Sequence, residues 1–154
     1  MCRKFVLCRT FCLLLATVAV GAEPGVRAEL VGGTLAGVDA KSTARLDFSA
    51  ADELVFHRAS GDIRVTYRKV NTLEYGQTVS RRYAAAVLVS PLLLLSKVRK
   101  HFVTLGYVDA EGQQQVVVFR VEKGDIRSVL VGLEARTGRR VEYQDDDARK
   151  AGKG

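Results

Sequence analysis

The stretch VTLGYVDAEGQQQVVVFRVEKGDIRSVLVGLEARTG, residues 103–138, joins two strand patterns, a turn and a helix pattern. Apolar side chains recur at every second position over 103–107 and over 117–121, which is typical of β-strands. The loop between them, residues 109–112, ends in glycine and suits a hairpin connection. The stretch therefore predicts an antiparallel hairpin that is followed by a helix.

The helix pattern lies over residues 125–137. Its apolar side chains fall on one helical stripe, formed by Ile126, Val129, Leu130 and Leu133. Asp125 stands where an N-cap residue is expected, and Gly138 stands where a glycine often ends a helix. These signals predict one amphipathic helix near the C-terminus.

The rest of the central chain also has strand patterns. Apolar residues alternate with polar ones over 44–48, 54–56 and 63–67, and a further strand is expected over 70–79. A single, mainly antiparallel β domain over residues 43–143, with one C-terminal helix, is the organisation that these patterns predict.

The first 22 residues have the three parts of a secretory signal peptide. Basic residues open the segment, an apolar run follows over 11–20, and small residues end it. The run is shorter than the ~20 residues that a membrane-spanning helix needs. We expect an exported protein, periplasmic or secreted, that is cleaved after Ala22 or, as a second choice, after Ala28.

Cysteine content and charge both change if this segment is removed. The three cysteines, Cys2, Cys8 and Cys12, lie within it, so the mature chain would be cysteine-free, as suits a bacterial periplasmic protein. Cleavage after Ala22 removes three basic residues and no acid, which lowers the net charge from +7 to +4. This modest charge, together with export, argues against nucleic acid as a partner.

The two ends of the mature chain contain few large apolar residues. Residues 23–42 are rich in glycine, alanine and other small residues, which predicts a flexible lead-in. Residues 144–154 contain no large apolar side chain. We interpret them as a disordered tail, because such a segment cannot offset its ordering entropy.

About six antiparallel strands followed by one amphipathic helix resemble the pleckstrin-homology-like fold, including its bacterial GRAM-type versions. The resemblance implies a partly open barrel with one end closed by helix 125–137. The segments at 73–76, 97–102 and 133–138 also resemble uncharacterised exported bacterial proteins of similar length. Neither resemblance implies an activity. A small α+β sandwich is the alternative fold.

The stretch PLLLLSKVRKHF, residues 91–102, places four leucines directly before a basic cluster. The Ser90-Pro91 pair is a helix-start signal and predicts a short helix to about Lys100. The apolar stretch that begins at Ala84 has basic residues at both ends. The candidate ligand-binding residues are Arg81, Arg82, Lys97, Arg99, Lys100 and His101.

Three interpretations of this region are open. In the first, the leucines belong to the core at one barrel opening, and the cations form a solvated rim. In the second, the leucines enter a lipid surface while the cations meet anionic headgroups, each near-surface cation adding about 1 kcal/mol. In the third, the region is an apolar patch that binds a protein partner.

The sequence contains no constellation that predicts catalysis or metal binding. The two histidines, His57 and His101, lack the spacing of metal ligands, and neither a Gly-x-Ser-x-Gly motif nor a phosphate-binding glycine loop occurs. We therefore expect a non-catalytic binding or scaffold module of the cell envelope, without a cofactor. Its partner would be a membrane surface or an envelope protein. The alternative is a small envelope enzyme of unknown reaction, which would need a pocket with a perturbed acid or histidine.

Overall fold

The computed structural model describes residues 25–34, 42–79 and 100–153. These residues are mostly β, with an eight-stranded sheet that does not close on itself and two helices. Strands β1 to β8 span Val26–Gly33, Ser42–Asp47, Glu53–Arg58, Ile63–Thr66, Val70–Gly76, His101–Val108, Gln114–Val121 and Glu142–Tyr143. A 3-10 turn, Tyr67–Lys69, joins β4 to β5, and helices α1 and α2 span Ile126–Thr137 and Asp146–Lys153.

The sheet consists of two antiparallel meanders joined edge to edge. The strand order is β4-β3-β2-β1-β7-β6-β5-β8, and the meanders meet where β1 pairs with β7. Strand β8 runs parallel to β5, so the sheet is mixed. The mainly antiparallel β architecture with a helix after the strands, predicted from the sequence, is confirmed in this coarse form.

The stretch 103–138 folds as its pattern predicts. Strands β6 and β7 form a hairpin in which the Asp109 carboxylate accepts a hydrogen bond from the Gln113 N–H at 2.7 Å. Gly112 adopts a φ of 80°, which glycine reaches without a steric penalty. Helix α1 ends at Gly138, whose φ of 68° is left-handed, as the sequence predicts.

The inner face of the sheet and both helices enclose the main core. Alternate strand residues supply most of it, and the predicted helical stripe is buried against them, with Ile126, Val129, Leu130 and Leu133 at most 3% exposed. Asp125 is the N-cap residue of α1, as predicted, but its side chain makes no capping hydrogen bond. Its carbonyl oxygen instead accepts hydrogen bonds from the Val129 N–H and the Ser128 hydroxyl.

The interpretation of residues 23–42 as a flexible lead-in is wrong for the part that forms β1. Val26, Ala28 and Leu30 face the core, while Arg27 and Glu29 face away from it. The alternation is short and uses a small residue, but β1 is paired on both sides and is the strand that joins the two meanders.

The expected disordered tail at 144–154 is wrong for residues 146–153, which form α2. The Asp145 carboxylate accepts a hydrogen bond from the Ala148 N–H at 2.6 Å and caps the helix start. Ala148 and Gly152 are buried, the latter against Tyr143. Small residues allow this helix to approach the core closely, so it needs no large apolar side chain.

A second set of buried apolar side chains lies apart from the main core. We call it the outer cluster, and it consists of Val31, Val79, Phe102, Val116 and Val118. Its strand members alternate with core-facing residues such as Val103, Val117 and Phe119. The outer cluster therefore lies on the sheet face that points away from the main core.

Candidate anion-binding site

The ligand-binding region predicted from the sequence lies mostly outside the described residues. Four of its six members fall there: Arg81, Arg82, Lys97 and Arg99. Of the other two, Lys100 directly precedes β6, and its backbone N–H donates to the Gln77 carbonyl oxygen at 3.3 Å. His101 is the first residue of β6.

His101 is bonded to the protein interior. Its Nδ1 lies 2.5 Å from the hydroxyl of the buried Tyr75, and the two rings are nearly parallel with centroids 6.0 Å apart. Burial, and then the charge of Lys123, lowers the pKa of His101 below its ordinary value. A neutral imidazole with one nitrogen already bonded has only Nε2 left for a ligand.

A row of basic side chains crosses the outer face of β1, β2 and β3. In the strand register, Arg27 lies opposite Arg45, and Arg45 lies opposite His57. Directly opposite side chains in antiparallel strands have Cβ atoms about 4.5–5.5 Å apart, and like charges at that spacing repel. We call these three residues the cationic row.

The cationic row borders an open groove of about 500 Å³. The groove is lined by Arg27, Thr43, Ala44, Arg45, Asp47, His57 and Arg58. Three arginines and one aspartate leave the lining positive even when His57 is neutral. Such a groove suits a carboxylate or phosphate group, because a guanidinium can donate two parallel hydrogen bonds to either.

His57 is held between two carboxylates. Its Nδ1 lies 3.0 Å from Asp62 Oδ1, and its Nε2 lies 3.5 Å from Asp47 Oδ2. The hydrogen bond to Asp62, followed by that to Asp47, raises the pKa of His57 above its ordinary value of 6.5. The protonated ring, which donates at both nitrogens, is therefore favoured, and it adds a positive charge to the cationic row.

Asp47 is held in its charged form by a neighbouring serine. The backbone N–H of Ser49 donates to its Oδ1 at 2.7 Å, and the Ser49 hydroxyl donates to its Oδ2 at 3.0 Å. These bonds, led by the backbone one, lower the pKa of Asp47. The Ser49 hydroxyl is thus bonded to the acid, an arrangement unlike the serine–histidine pair of a hydrolase.

Arg58 has a buried donor without an acceptor. Its Nε donates to the Gly61 carbonyl oxygen at 3.1 Å, whereas its Nη1 is buried and makes no hydrogen bond. A buried donor left unpaired costs about 1–3 kcal/mol, and more when it is charged. In the strand register Arg58 lies opposite the core residue Ala44, so its side chain leaves β3 on the face opposite to the cationic row.

Arg58 also borders a second groove of about 370 Å³, between the β3–β4 turn and the β6–β7 hairpin. The other cations of that groove are bonded within the protein. Lys69 Nζ donates to the Asp109 carbonyl oxygen at 2.9 Å, and Arg64 pairs with Glu53 and Asp62. The lining of the first groove has three arginines and one aspartate, whereas that of the second has three cations and two aspartates, so the first groove is the better candidate for an external anion.

Two further properties concern ions and membranes. Within residues 25–34, 42–79 and 100–153, no group of three or more His, Cys, Asp or Glu side chains is arranged to hold a metal ion. In the same ranges, no helix has both the length and the apolar character needed to cross a bilayer.

Comparison of the chain with protein-family models and with curated proteins finds no match.

The cationic row is not evident from the sequence. Alternation within β2 showed that Arg45 and Asp47 point away from the apolar face. Their neighbours across the sheet depend on strand register, and Arg27 lay in the supposed lead-in. Recognising the short alternation from Val26 to Leu30 as a strand would have placed Arg27 on the outer face.

Proposed function

We propose that this chain is a non-catalytic binding module of the cell envelope that takes an anionic ligand in the groove beside the cationic row. The observation that carries the proposal is the register that sets Arg27, Arg45 and His57 side by side. Arg27 and Arg45 lie directly opposite each other, and like charges in that position repel. A bound phosphate or carboxylate group would offset the repulsion between these cations.

We further propose that the domain is of the pleckstrin-homology-like type. Two antiparallel meanders and a helix that directly follows the last strand of the second meander support this assignment. The burial of the α1 stripe in the core that the sheet encloses also supports it.

Export to the periplasm or the exterior is part of the same proposal. It rests on the pattern of residues 1–22, which lie outside the described residues. The start of β1 at Val26 favours cleavage after Ala22. Cleavage after Ala22 leaves β1 whole, whereas cleavage after Ala28 removes Val26, Arg27 and Ala28 from it.

The region 81–101 is the second candidate surface for an anionic lipid or a protein partner. Its basic residues, apart from Lys100 and His101, lie outside the described residues, so its support is the sequence alone. The groove beside the cationic row and the 81–101 region have different cations. Substitutions in one or the other can therefore show which surface binds the ligand.

The test is binding to inorganic phosphate and to vesicles of phosphatidylglycerol or phosphatidylcholine, over a salt series. The Arg27→Gln/Arg45→Gln pair should weaken anion binding at low salt by about tenfold or more, since charge-assisted hydrogen bonds contribute about 1.5–3 kcal/mol. The matched control is Arg127→Gln/Arg140→Gln, which makes the same charge change at exposed positions outside the groove. It should leave affinity nearly unchanged.

Two outcomes would contradict the proposed groove. If Lys97→Gln/Arg99→Gln abolishes binding while the Arg27→Gln/Arg45→Gln pair does not, the ligand surface is the 81–101 region. If neither phosphate nor anionic vesicles bind at low salt, the anionic ligand itself is wrong. Binding to phosphate but not to vesicles would assign the groove to a soluble anion.

A further inference from the structure

The outer cluster is buried although it lies on the side of the sheet away from the main core. Val31 and Val118 are 0% exposed, and Phe102 is 4% exposed. The two described helices pack on the opposite side, where the α1 stripe and Ala148 belong to the main core. Among the described residues, neither helix covers the outer cluster.

We propose that the apolar segment 84–95 docks on the outer cluster and forms a second layer over β1, β7 and β6. The segment contains AAAVLVSPLLLL, in which all residues except Ser90 are apolar. Packing these side chains against the valines and Phe102 would remove both apolar surfaces from water. The leucine run is then part of the fold.

The ends of the segment are anchored beside the surface that it would cover. The chain leaves the described part at Val79, itself a member of the outer cluster, and returns at Lys100, two residues before Phe102. The bond from the Lys100 N–H to the Gln77 carbonyl oxygen, 3.3 Å long, holds the exit and the return together. The excursion 80–99 thus begins and ends at the edge of the outer cluster.

The segment is long enough to cover the cluster. Neighbouring strands lie about 4.8 Å apart, so the distance from β6 across β7 to β1 is about 10 Å. A stretch of 12 residues spans about 18 Å as a helix and more when extended.

The other internal segment outside the described residues, 35–41, is a poorer occupant. It contains only two large apolar side chains, Leu35 and Val38, within seven residues. Residues 1–22 are also apolar in part, but they are the segment that export would remove. The N-terminal segment is the competing occupant.

The test measures thiol labelling in a full chain in which Cys2, Cys8 and Cys12 are replaced by serine. A single cysteine is placed at Val118 in the outer cluster or, as an exposed reference, at Val131 on α1, which is 57% exposed. Val118→Cys should react at least about 100-fold more slowly than Val131→Cys, because labelling would require local opening. The pair Leu92→Asp/Leu94→Asp should accelerate labelling at residue 118 by about tenfold or more, because loss of docking makes local opening easier. It should leave labelling at residue 131 unchanged.

The proposal is overturned if that pair leaves labelling at 118 unchanged while circular dichroism shows a folded chain. It is also overturned if Leu13→Asp/Leu14→Asp, in the N-terminal segment, produces the acceleration instead.

A second measurement covers the case in which the double aspartate variant does not fold. A photoreactive benzoylphenylalanine replaces Leu93 in the otherwise unchanged chain. Docking predicts crosslinks within one chain to peptides from β1, β6 or β7. Crosslinks only to a second chain, only to residues 1–24, or only to lipid when vesicles are present would overturn the proposal. This inference does not depend on the anion-binding groove, which uses other residues.

Discussion

At the scale of single residues, the surroundings of the two histidines shift the imidazole pKa in opposite directions. His57 is exposed and lies between the carboxylates of Asp47 and Asp62, which favour its protonated form. His101 is partly buried against the Tyr75 hydroxyl, and burial favours its neutral form. The surroundings, and not the residue type, decide which histidine can carry charge near neutral pH.

The first prediction is that the two histidines titrate on opposite sides of 6.5. The hydrogen bonds to Asp62 and Asp47 raise the pKa of His57 above that value, and burial lowers the pKa of His101 below it. Proton–carbon NMR of the imidazole rings over a pH series measures both. A His57 pKa at or below that of His101 would show that the carboxylate pair is not formed in solution.

The same shift makes a contribution to stability that depends on pH. Because the folded pKa of His57 is raised, its contribution is fully present below pH 6.5 and is lost as the pH rises through the folded pKa. The pKa of Asp47 is lowered, so its contribution is present above 3.8 and is lost as the pH falls through the folded pKa. His57→Gln should therefore lower the melting temperature more at pH 5.5 than at pH 8.5. Equal losses at both pH values would argue against the linkage.

The second prediction concerns the close packing of Gly152. A Cβ at this position would lie 2.8 Å from a ring carbon of Tyr143 and 3.2 Å from Leu130 and Tyr75. Gly152→Ala should lower the free energy of unfolding by about 1–3 kcal/mol, the usual cost of overpacking. Urea denaturation measures it, with Gly124→Ala as the control, since a Cβ at Gly124 meets nothing within 4 Å. Equal stability of the two variants would mean that α2 does not pack on the core.

At the scale of elements, sequence periodicity predicted the structure where alternation was long or the helical stripe was complete. Strands β2 to β7 and helix α1 fall within or close to the segments assigned to them. Strand β1 and helix α2 were missed because both use small residues at buried positions, such as Ala28, Ala148 and Gly152. Hydrophobic patterns do not reveal an element whose burial depends on close approach.

The candidate site was harder to predict than the elements for a related reason. Each strand shows by its own alternation which residues face outward. Which outward residues become neighbours depends on pairing between strands far apart in the sequence, as in the contact of β1 with β7. The basic cluster at 97–100 stood out because its members are adjacent in the chain, whereas the cationic row is assembled only by the register.

The third prediction tests β1 as the link between the meanders. A chain that begins at residue 29 lacks Val26 and Ala28, which contribute to the main core, whereas a chain that begins at residue 23 retains them. The shorter chain should melt at a clearly lower temperature, because the pairing of β1 with both β2 and β7 is shortened. Circular dichroism melting compares the two chains. Equal melting temperatures would mean that residues 26–28 do not stabilise the sheet.

At the scale of the whole molecule, the described residues share one main core although the sheet is open. Both meanders contribute side chains to it, and so do α1 and α2. The parallel pairing of β8 with β5 brings the chain after α1 back to the second meander. A common core of this kind couples the stability of the two halves.

The fourth prediction follows from this coupling. Leu30 on β1 is fully buried where the two meanders meet, so Leu30→Ala should lower the free energy of unfolding by about 2–5 kcal/mol. Amide hydrogen exchange should show the same loss in peptides from β2 and β3 as in peptides from β5 and β6, since one cooperative unit opens as a whole. The control, Val131→Ala at an exposed position on α1, should stay within about 0.5 kcal/mol of the unsubstituted chain. If Leu30→Ala weakens protection in the first meander alone, the two meanders unfold independently, and the join between β1 and β7 does not unite them into one domain.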